Sequence, residues 1–197
     1  MPFEHKVAVD INFRFNIDQY KSKNIIFHKA TSDEYFLNLH ENEIFDLIYI
    51  DGLHHFQQTL RDFFGALEHS HDKTIIVIDD VYPHDVFSAL TEKAVFYRSI
   101  FNEGNSDMSW HGDVFKTIFA IHDLCLHIDY MTIDREHGNP QTILFKAKRK
   151  KFKQTFKNLE EIERLNYFNF LDNLETLNLV SEDEAFKIIK NFYKSFL

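Results

Sequence analysis

The stretch from Ile44 to Asp80 constrains the possible folds of this chain more than any other feature. It reads IFDLIYIDGLHHFQQTLRDFFGALEHSHDKTIIVIDD. Phe45 to Ile50 is an apolar run with one acid, of the length of a strand that is buried on both faces. His54 to Glu68 has apolar residues at the spacing of one helix face, and Thr74 to Ile78 is a β-branched run. A strand, a helix and a strand in this order predict a right-handed βαβ unit with parallel strands.

Carboxylates follow both of these predicted strands. Asp51 comes after the first strand, and Asp79 and Asp80 come after the second. Ligands of open parallel sheets bind outside the carboxyl ends of the strands. We therefore expect the three acids to converge on one cleft together with His54 and His55. Acids at strand ends also cap helices and form turns, and for Asp79 alone capping is the better interpretation.

Two further strands are predicted before this unit. Lys6 to Ile11 and Asn24 to Ala30 are short apolar runs that read as strands. The sequence Thr31-Ser32-Asp33-Glu34 predicts the start of a helix that ends near His40, because hydroxyl and carboxylate side chains can cap the amides of a first turn.

After the unit, the pattern predicts two helices and then a hairpin. Asp85 to Phe101 and Val114 to His122 have helical spacing. Cys125 to Ile133 and Thr142 to Ala147 read as strands, and the turn residues His137 to Pro140 between them favour an antiparallel hairpin. The order of elements predicts an α/β fold with a Rossmann-like, mostly parallel sheet, a terminal antiparallel hairpin and C-terminal helices.

The character of the chain changes near residue 150. We expect residues 1–150 to form a Rossmann-like domain and residues 151–197 to form a helical appendage that packs on this domain or on a second subunit. Within the appendage, Ser181 with Glu184 fits a capping box.

Composition excludes several classes of partner and location. The net charge is −9, which argues against a nucleic-acid partner. Cys125 is the single cysteine, which suits the reducing cytoplasm. No apolar run reaches the roughly 20 residues of a membrane span, and Glu4, His5 and Lys6 interrupt any signal-like start. We expect a cytoplasmic protein with no nucleic-acid or membrane partner.

Several short sequence segments, in this order, resemble the later part of the class I S-adenosylmethionine-dependent methyltransferases. They are VAVD (7–10), FDLIYIDGLHHF (45–56), the helix with Arg61-Asp62, IIVIDD (75–80) and WHGDVFK (110–116). Each segment alone is weak evidence for the family, but the order and spacing of the segments together are specific, above all IDGLHH followed by IDD. The likeness is greatest to bacterial O-methyltransferases of sugar, glycan and natural-product biosynthesis.

The resemblance implies a role for several residues. Asp10 matches the acid that binds the ribose hydroxyls of S-adenosylmethionine, and two carboxylate oxygens suit a vicinal diol. Ser32 and Asp33 match the positions that contact the adenine. Asp51 matches the acid beside the methyl-transfer centre, where it contributes to cofactor binding and catalysis.

The metal-dependent members of the family also imply a cation site. Their acids correspond here to Asp51, Asp79 and Asp80, and hard carboxylate oxygens suit Mg²⁺. The ion would lower the pKa of a substrate hydroxyl, so that His54 or His55 could take its proton as a base.

The sequence departs from the family at its beginning. The family's first strand ends in a glycine-rich loop, whereas no glycine precedes Gly52 here. The resemblance therefore implies that the first strand of this chain corresponds to the family's second strand. We therefore expect weak or no binding of S-adenosylmethionine. We also expect the strand ending at Asp10 to pair directly with the strand ending at Asp51, or another chain to fill the vacant position.

Two classes of function follow. The first is a metal-assisted O-methyltransferase that acts on a hydroxyl of a sugar or small molecule. The second is a methyltransferase-like domain that has lost the cofactor loop and serves in binding or assembly. A metal-dependent hydrolase is a weaker third hypothesis, because the sequence contains no HExxH motif. Self-association through the C-terminal helices or the vacant sheet position is also expected.

Overall fold

The computed structural model describes residues 3–103, 109–134, 138–149 and 152–197. The chain forms two compact units, Met1–Glu43 and Ile44–Leu197. Within the described residues, no helix is both long and apolar enough to cross a membrane.

The first unit is a two-stranded sheet followed by a helix. Strands β1 (Lys6–Val9) and β2 (Ile25–His28) pair in parallel, and a short 3₁₀ turn, Ile17–Gln19, lies between them in sequence. Helix α1 (Ser32–Asn38) starts at Thr31, whose hydroxyl accepts a hydrogen bond from the amide of Glu34 at 3.1 Å. The Glu34 carboxylate binds the Thr31 amide in return, so the predicted helix start is confirmed as a capping box.

The second unit is built on a five-stranded sheet in the order β3-β4-β6-β5-β7. Its strands are β3 (Phe45–Ile50), β4 (Ser70–Ile78), β5 (Ile128–Ile133), β6 (Thr142–Lys146) and β7 (Leu179–Val180). β3 and β4 are parallel neighbours, as the sequence predicts, with Ile50 opposite Ile78. The acids that follow these strands therefore leave the sheet at the same edge.

The predicted hairpin is also confirmed. β5 and β6 pair antiparallel, and β6 continues antiparallel onto β4. β7 adds a parallel pairing to β5 that the sequence analysis missed, because a two-residue strand has no readable period. Of the five strand pairings among the described residues, three are parallel. The first residue of the predicted turn, His137, lies outside the described residues.

Three helices of the second unit lie between β3 and β5 in sequence: the first connects β3 to β4, and the other two follow β4. They are α2 (Phe56–Glu68), α3 (Lys93–Glu103) and α4 (Phe115–Leu124). The predicted start of α3 at Asp85 is wrong. The Asp85 carboxylate accepts a hydrogen bond from the amide of Ser88 at 2.6 Å, and the Ser88 hydroxyl accepts one from the amide of Asp85 at 3.1 Å. These reciprocal bonds close one helical turn, but the carbonyl oxygen of Ser88 then accepts from the amides of His111 and Gly112 instead of from a following turn, so α3 begins only at Lys93.

The C-terminal segment packs on the sheet of the second unit. It contains α5 (Leu159–Glu163), α6 (Tyr167–Asp172), a 3₁₀ turn (Leu174–Leu177) and α7 (Glu182–Lys194). The hydroxyl of Ser181 caps α7 by accepting from the amide of Glu184 at 3.3 Å, which confirms one of the two bonds of the predicted capping box. α7 buries Ala185 and Phe192 in one core cluster with Met131 and Phe145 of the hairpin. The expected boundary between residues 1–150 and 151–197 falls on residues 150–151, outside the described part of the chain.

The predicted direct pairing of the strand ending at Asp10 with the strand ending at Asp51 is wrong. β1 pairs with β2, and β3 pairs with β4 in a separate sheet. The expectation assumed one continuous sheet that is buried on both faces. In β2, however, Ile25 and Phe27 are partly covered while Ile26 and His28 are exposed, the alternation of a sheet with one covered face. Filling of the free edge of β3 by another chain stays a prediction.

Candidate functional site

The imidazole of His54 lies between two carboxylates at the carboxyl ends of β3 and β4. Its Nε2 atom is 3.3 Å from Oδ1 of Asp51 and 3.1 Å from Oδ2 of Asp80. Each of the three residues offers one ligand atom, and these atoms all lie within 4.8 Å of one another. The parallel pairing of β3 with β4 creates this cluster, because it delivers both acids to one edge of the sheet.

The backbone turns sharply at two of these residues. His54 has a φ of 58° and Asp80 has a φ of 59°, both in the left-handed region. Residues other than glycine rarely adopt this region, and such outliers gather at functional sites. The turn at Asp80 is held by its own amide, which donates to Oδ1 of Asp79 at 2.9 Å.

The second ring nitrogen of His54 is held by Trp110. Its Nδ1 lies 2.7 Å from the carbonyl oxygen of Trp110, and the two rings stack with centroids 5.1 Å apart and planes 16° apart. A carbonyl oxygen can only accept a hydrogen bond, so Nδ1 carries the proton. The ring is thereby oriented with Nε2 towards Asp51 and Asp80.

The pKa values in this cluster shift because the charges are close and partly buried. Burial alone would lower the pKa of His54, but the hydrogen bond to Asp51, the charge of Asp80 and the Trp110 carbonyl together raise it. The hydrogen bond to His54 lowers the pKa of Asp51. Burial, reinforced by the charges of Asp79 and Asp51 against the opposing charge of His54, raises the pKa of Asp80 to about 6. Both nitrogens of His54 face acceptors, so the arrangement favours a proton or another cation at Nε2.

The carboxylate of Asp79 belongs to a neighbouring polar network. It accepts hydrogen bonds from the hydroxyl of Tyr49, from Nδ2 of Asn139 at 2.8 Å and from Nε2 of Gln141 at 3.0 Å. Burial, followed by the bond to Asp79, raises the pKa of Tyr49. The structure thus groups two of the three predicted metal-ligating acids, Asp51 and Asp80, with His54, and gives Asp79 polar side-chain partners instead.

Two residues near the acids were missed in the sequence analysis. Nδ2 of Asn139 bridges Asp79 and Asp80, with distances of 2.8 and 2.9 Å to one oxygen of each. Nε2 of His111 lies 3.1 Å from Oδ1 of Asn139 and 3.8 Å from Oδ1 of Asp80. Burial and the nearby His84 lower the pKa of His111. Asn139 lies in the hairpin turn and His111 in the word WHGD, but nothing in the sequence pairs them with strand ends elsewhere.

His55 has a different position from its neighbour. It is the N-cap residue of α2 but makes no side-chain capping hydrogen bond, and its ring meets Trp110 edge-on at 6.0 Å. The candidate base that the structure places against the carboxylates is therefore His54. A base role for His55 stays a prediction.

The predicted cofactor residues of the first unit follow its two parallel strands. Asp10 comes directly after β1, its amide donates to the carbonyl of His28 at 3.1 Å, and its Oδ1 accepts from the amide of Asn12 at 2.7 Å. Its side chain is exposed. Ser32 and Asp33 form the first turn of α1, directly after the cap. These residues therefore lie beyond the carboxyl ends of the strands of their own small sheet.

Part of this chain is similar to known methyltransferases. A family described as a methyltransferase domain matches residues 3–81. The O-methyltransferase TomG of Streptomyces achromogenes, involved in tomaymycin synthesis and solved with SAM, is 13% identical, with 75% of this chain and 64% of that chain covered and a TM-score of 0.45. An O-methyltransferase of Bacillus cereus, solved in complex with SAH, is 17% identical, with 64% of this chain and 51% of that chain covered and a TM-score of 0.36. This chain therefore spans less than two thirds of either protein. No curated protein matches the sequence.

Proposed function

We propose that this chain, which matches the methyltransferase-domain family over residues 3–81, is an S-adenosylmethionine-dependent O-methyltransferase that acts on a hydroxyl group of a sugar or small molecule. The observation that carries the proposal is the position of His54 between Asp51 and Asp80, at the ends of two adjacent parallel strands. A base beside two carboxylates suits the removal of a proton from a hydroxyl that accepts a methyl group.

The cofactor half of the proposal depends on Asp10, Ser32 and Asp33. The Asp10 carboxylate is exposed at the end of its strand, where its two oxygens could accept hydrogen bonds from the ribose hydroxyls. Ser32 and Asp33 would contact the adenine. Asp51 would lie beside the sulfonium group, where its negative charge would help to hold the positively charged methyl donor.

Metal assistance is a further part of the proposal, and the donor set fits a divalent cation. Carboxylate oxygens of Asp51 and Asp80 suit Mg²⁺ completed by water, which leaves Nε2 of His54 to act as the base. A site that also used Nε2 would suit a first-row transition metal and would exclude that role for His54. A bound ion would act as a Lewis acid on the substrate hydroxyl. Asp51 and Asp80 would hold it, and the Trp110 carbonyl would keep His54 in the orientation that metal-binding histidines adopt.

His54 is the proposed base because its environment stabilises the protonated ring. Its raised pKa means that it accepts a proton readily but must be neutral before it can do so. The carboxylates of Asp51 and Asp80 would then stabilise the imidazolium that forms.

Direct binding of S-adenosylmethionine, measured by calorimetry, tests the cofactor half. We expect weak binding, with a dissociation constant above the low micromolar range, because residues 3–43 contain no glycine that would let the backbone approach the cofactor closely. Asp10→Asn should weaken it further, whereas Asp18→Asn, at an exposed aspartate in the same unit, should leave it unchanged. Low-micromolar affinity would show that another segment replaces the glycine loop. No binding by the unmodified protein would favour the non-catalytic, binding or assembly alternative.

Location and self-association are also proposed. Cys125 is a buried free thiol, which suits the cytoplasm. α7 leaves Phe186 exposed, with 70% of its surface accessible, and this face supports the proposal of a homo-oligomer. Sedimentation of the unmodified protein and of Phe186→Lys would test it, since a monomer in both cases contradicts self-association through this helix.

A further inference from the structure

Four consecutive residues, Trp110 to Asp113, lie against the loop that carries His54. Trp110 contributes both the carbonyl oxygen that faces Nδ1 of His54 and the ring on which the imidazole stacks. The segment is itself anchored, because the amides of His111 and Gly112 donate to the carbonyl oxygen of Ser88 at 3.0 and 2.9 Å. A fixed segment can therefore impose an orientation on the loop that it contacts.

Gly112 lets the two backbones approach each other. Its φ is +62°, and a Cβ atom added there would lie 1.8 Å from the carbonyl oxygen of His54 and 2.9 Å from the carbonyl carbon. Both neighbours are backbone atoms and cannot rotate away as a flexible side chain could. Only glycine fits at this position without moving the backbone of His54.

Asp113 fixes the other end of the same loop. Its Oδ1 accepts a hydrogen bond from the amide of Phe56, the first residue of α2, at 2.7 Å. The N-cap residue, His55, makes no such bond with its own side chain, so Asp113 supplies the cap from elsewhere in the chain. The loop that contains His54 is thus held on both sides.

We propose that Trp110, Gly112 and Asp113 are positioning residues that fix the imidazole of His54 with Nε2 towards Asp51 and Asp80. This inference rests on the proposed function only where it says what the orientation of His54 serves, namely the removal of a proton from a substrate hydroxyl. The orientation can be tested without S-adenosylmethionine or any acceptor.

The fluorescence of Trp110 provides the test, because it is the single tryptophan of the chain. A stacked imidazole, above all when protonated, quenches indole emission by accepting an electron from the excited ring. His54→Gln should therefore raise the emission of the folded protein. His55→Gln is the matched control and should raise it much less, since His55 meets the indole only edge-on.

Gly112→Ala tests the proposed positioning directly. This substitution keeps the side chains of Trp110 and His54 but forces their backbone segments apart. The emission of Trp110 should therefore rise towards the level in His54→Gln. The double variant Gly112→Ala with His54→Gln should then show little further increase. Emission that stays at the native level in folded Gly112→Ala would overturn the proposal.

A second pair of variants serves if Gly112→Ala does not fold. Asp113→Ala, made in a Lys116→Met background so that no buried charge is left unpaired, and Ser181→Ala each remove the side-chain cap of a 13-residue helix, α2 and α7 respectively. Asp113→Ala should raise the emission of Trp110, and Ser181→Ala should not. Equal emission in the two variants would mean that Asp113 acts only as a helix cap. If the unmodified protein does not transfer a methyl group while the variants give the emission expected above, the proposed function is contradicted and the positioning role stands.

Discussion

Asp113 accepts a hydrogen bond from the amide of Phe56 at 2.7 Å, across a separation of 57 residues. Its other oxygen lies 3.0 Å from Nζ of Lys116, which also donates to the carbonyl of Glu163 at 2.8 Å. Asp113 and Lys116 are both buried. One aspartate therefore joins the start of α2 to α4 and, through the lysine, to the C-terminal helices.

Replacing Lys116 by Met should destabilise the protein strongly. The change leaves the buried Asp113 carboxylate without its cation, and breaking a buried pair on one side costs about 3 kcal/mol or more. Denaturant unfolding measures the loss. The double variant Lys116→Met with Asp113→Asn should recover part of it, because the buried charge is then gone. Lys187→Met, on the exposed face of α7, is the control, and a similar loss there would contradict the assignment.

Asp80→Asn should stabilise the protein at about pH 8 and have little effect near about pH 4. Burial and the neighbouring acids raise the pKa of Asp80 from 3.8 to about 6, so the folded protein holds this proton more tightly than the unfolded chain. The associated stability is complete below the unfolded pKa and is lost as the pH rises through 6. Asparagine stays neutral and tolerates the left-handed backbone of this position.

Thermal melts across this pH range, in the presence of a chelator, measure the effect. A gain of about 1 to 2 kcal/mol at the higher pH is expected, after allowance for partial exposure to solvent. Asp46→Asn is the control, because this aspartate is exposed on β3 and pairs with His71 outside the cluster. A pH-independent effect of Asp80→Asn would show that ionisation of Asp80 does not cost stability.

A divalent cation should raise the melting temperature of the unmodified protein. Binding at 100 times the dissociation constant stabilises by about 2.7 kcal/mol. Asp51→Asn and Asp80→Asn should remove the shift, since both acids lie in the cluster with His54. Asp79→Asn should retain it, because the Asp79 carboxylate is bound by Asn139 and Gln141.

These variants separate two arrangements of the metal site. Melts with Mg²⁺, Mn²⁺ and chelator supply the comparison. Loss of the shift in Asp79→Asn would favour the three-acid site expected from the sequence. Full retention of the shift in both Asp51→Asn and Asp80→Asn would contradict a metal site at either position.

Asn139→Asp should destabilise the protein more than Asn139→Ala at about pH 8. The Asn139 amide donates to Asp79 and Asp80, and an aspartate there would add a third acid next to two others. Loss of the amide donor alone costs about 1 to 3 kcal/mol. Unfolding measured at this pH and near pH 4 tests the order, since protonation should bring the two variants together at the lower pH. A greater loss in the alanine variant at the higher pH would argue against charge repulsion.

Much of the fold was predictable because periodic patterns report buried faces directly. Continuous apolar runs predicted β3 and β4 as parallel neighbours, and hydroxyl and acidic residues predicted the caps of α1 and α7. The methyltransferase-domain family model matches residues 3–81, which include the first segments that carry the resemblance. The start of α3 was wrong, because the Ser88 carbonyl bonds to the amides of His111 and Gly112, a contact between distant segments that periodicity does not report.

The amino-acid pattern alone shows which strands end in acids, and hence that Asp51 and Asp80 leave one edge of the sheet. That conclusion needs only the alternation of strand and helix and the parallel direction of the two strands. Tertiary structure alone decided that His54 rather than His55 meets these acids, and that Asp79 bonds to Tyr49, Asn139 and Gln141. The reason is that side-chain direction at a strand end is set by backbone turns and by contacts with distant segments, here Trp110 to Asp113 and the hairpin turn. Such contacts join residues far apart in the chain, and local pattern carries no record of them.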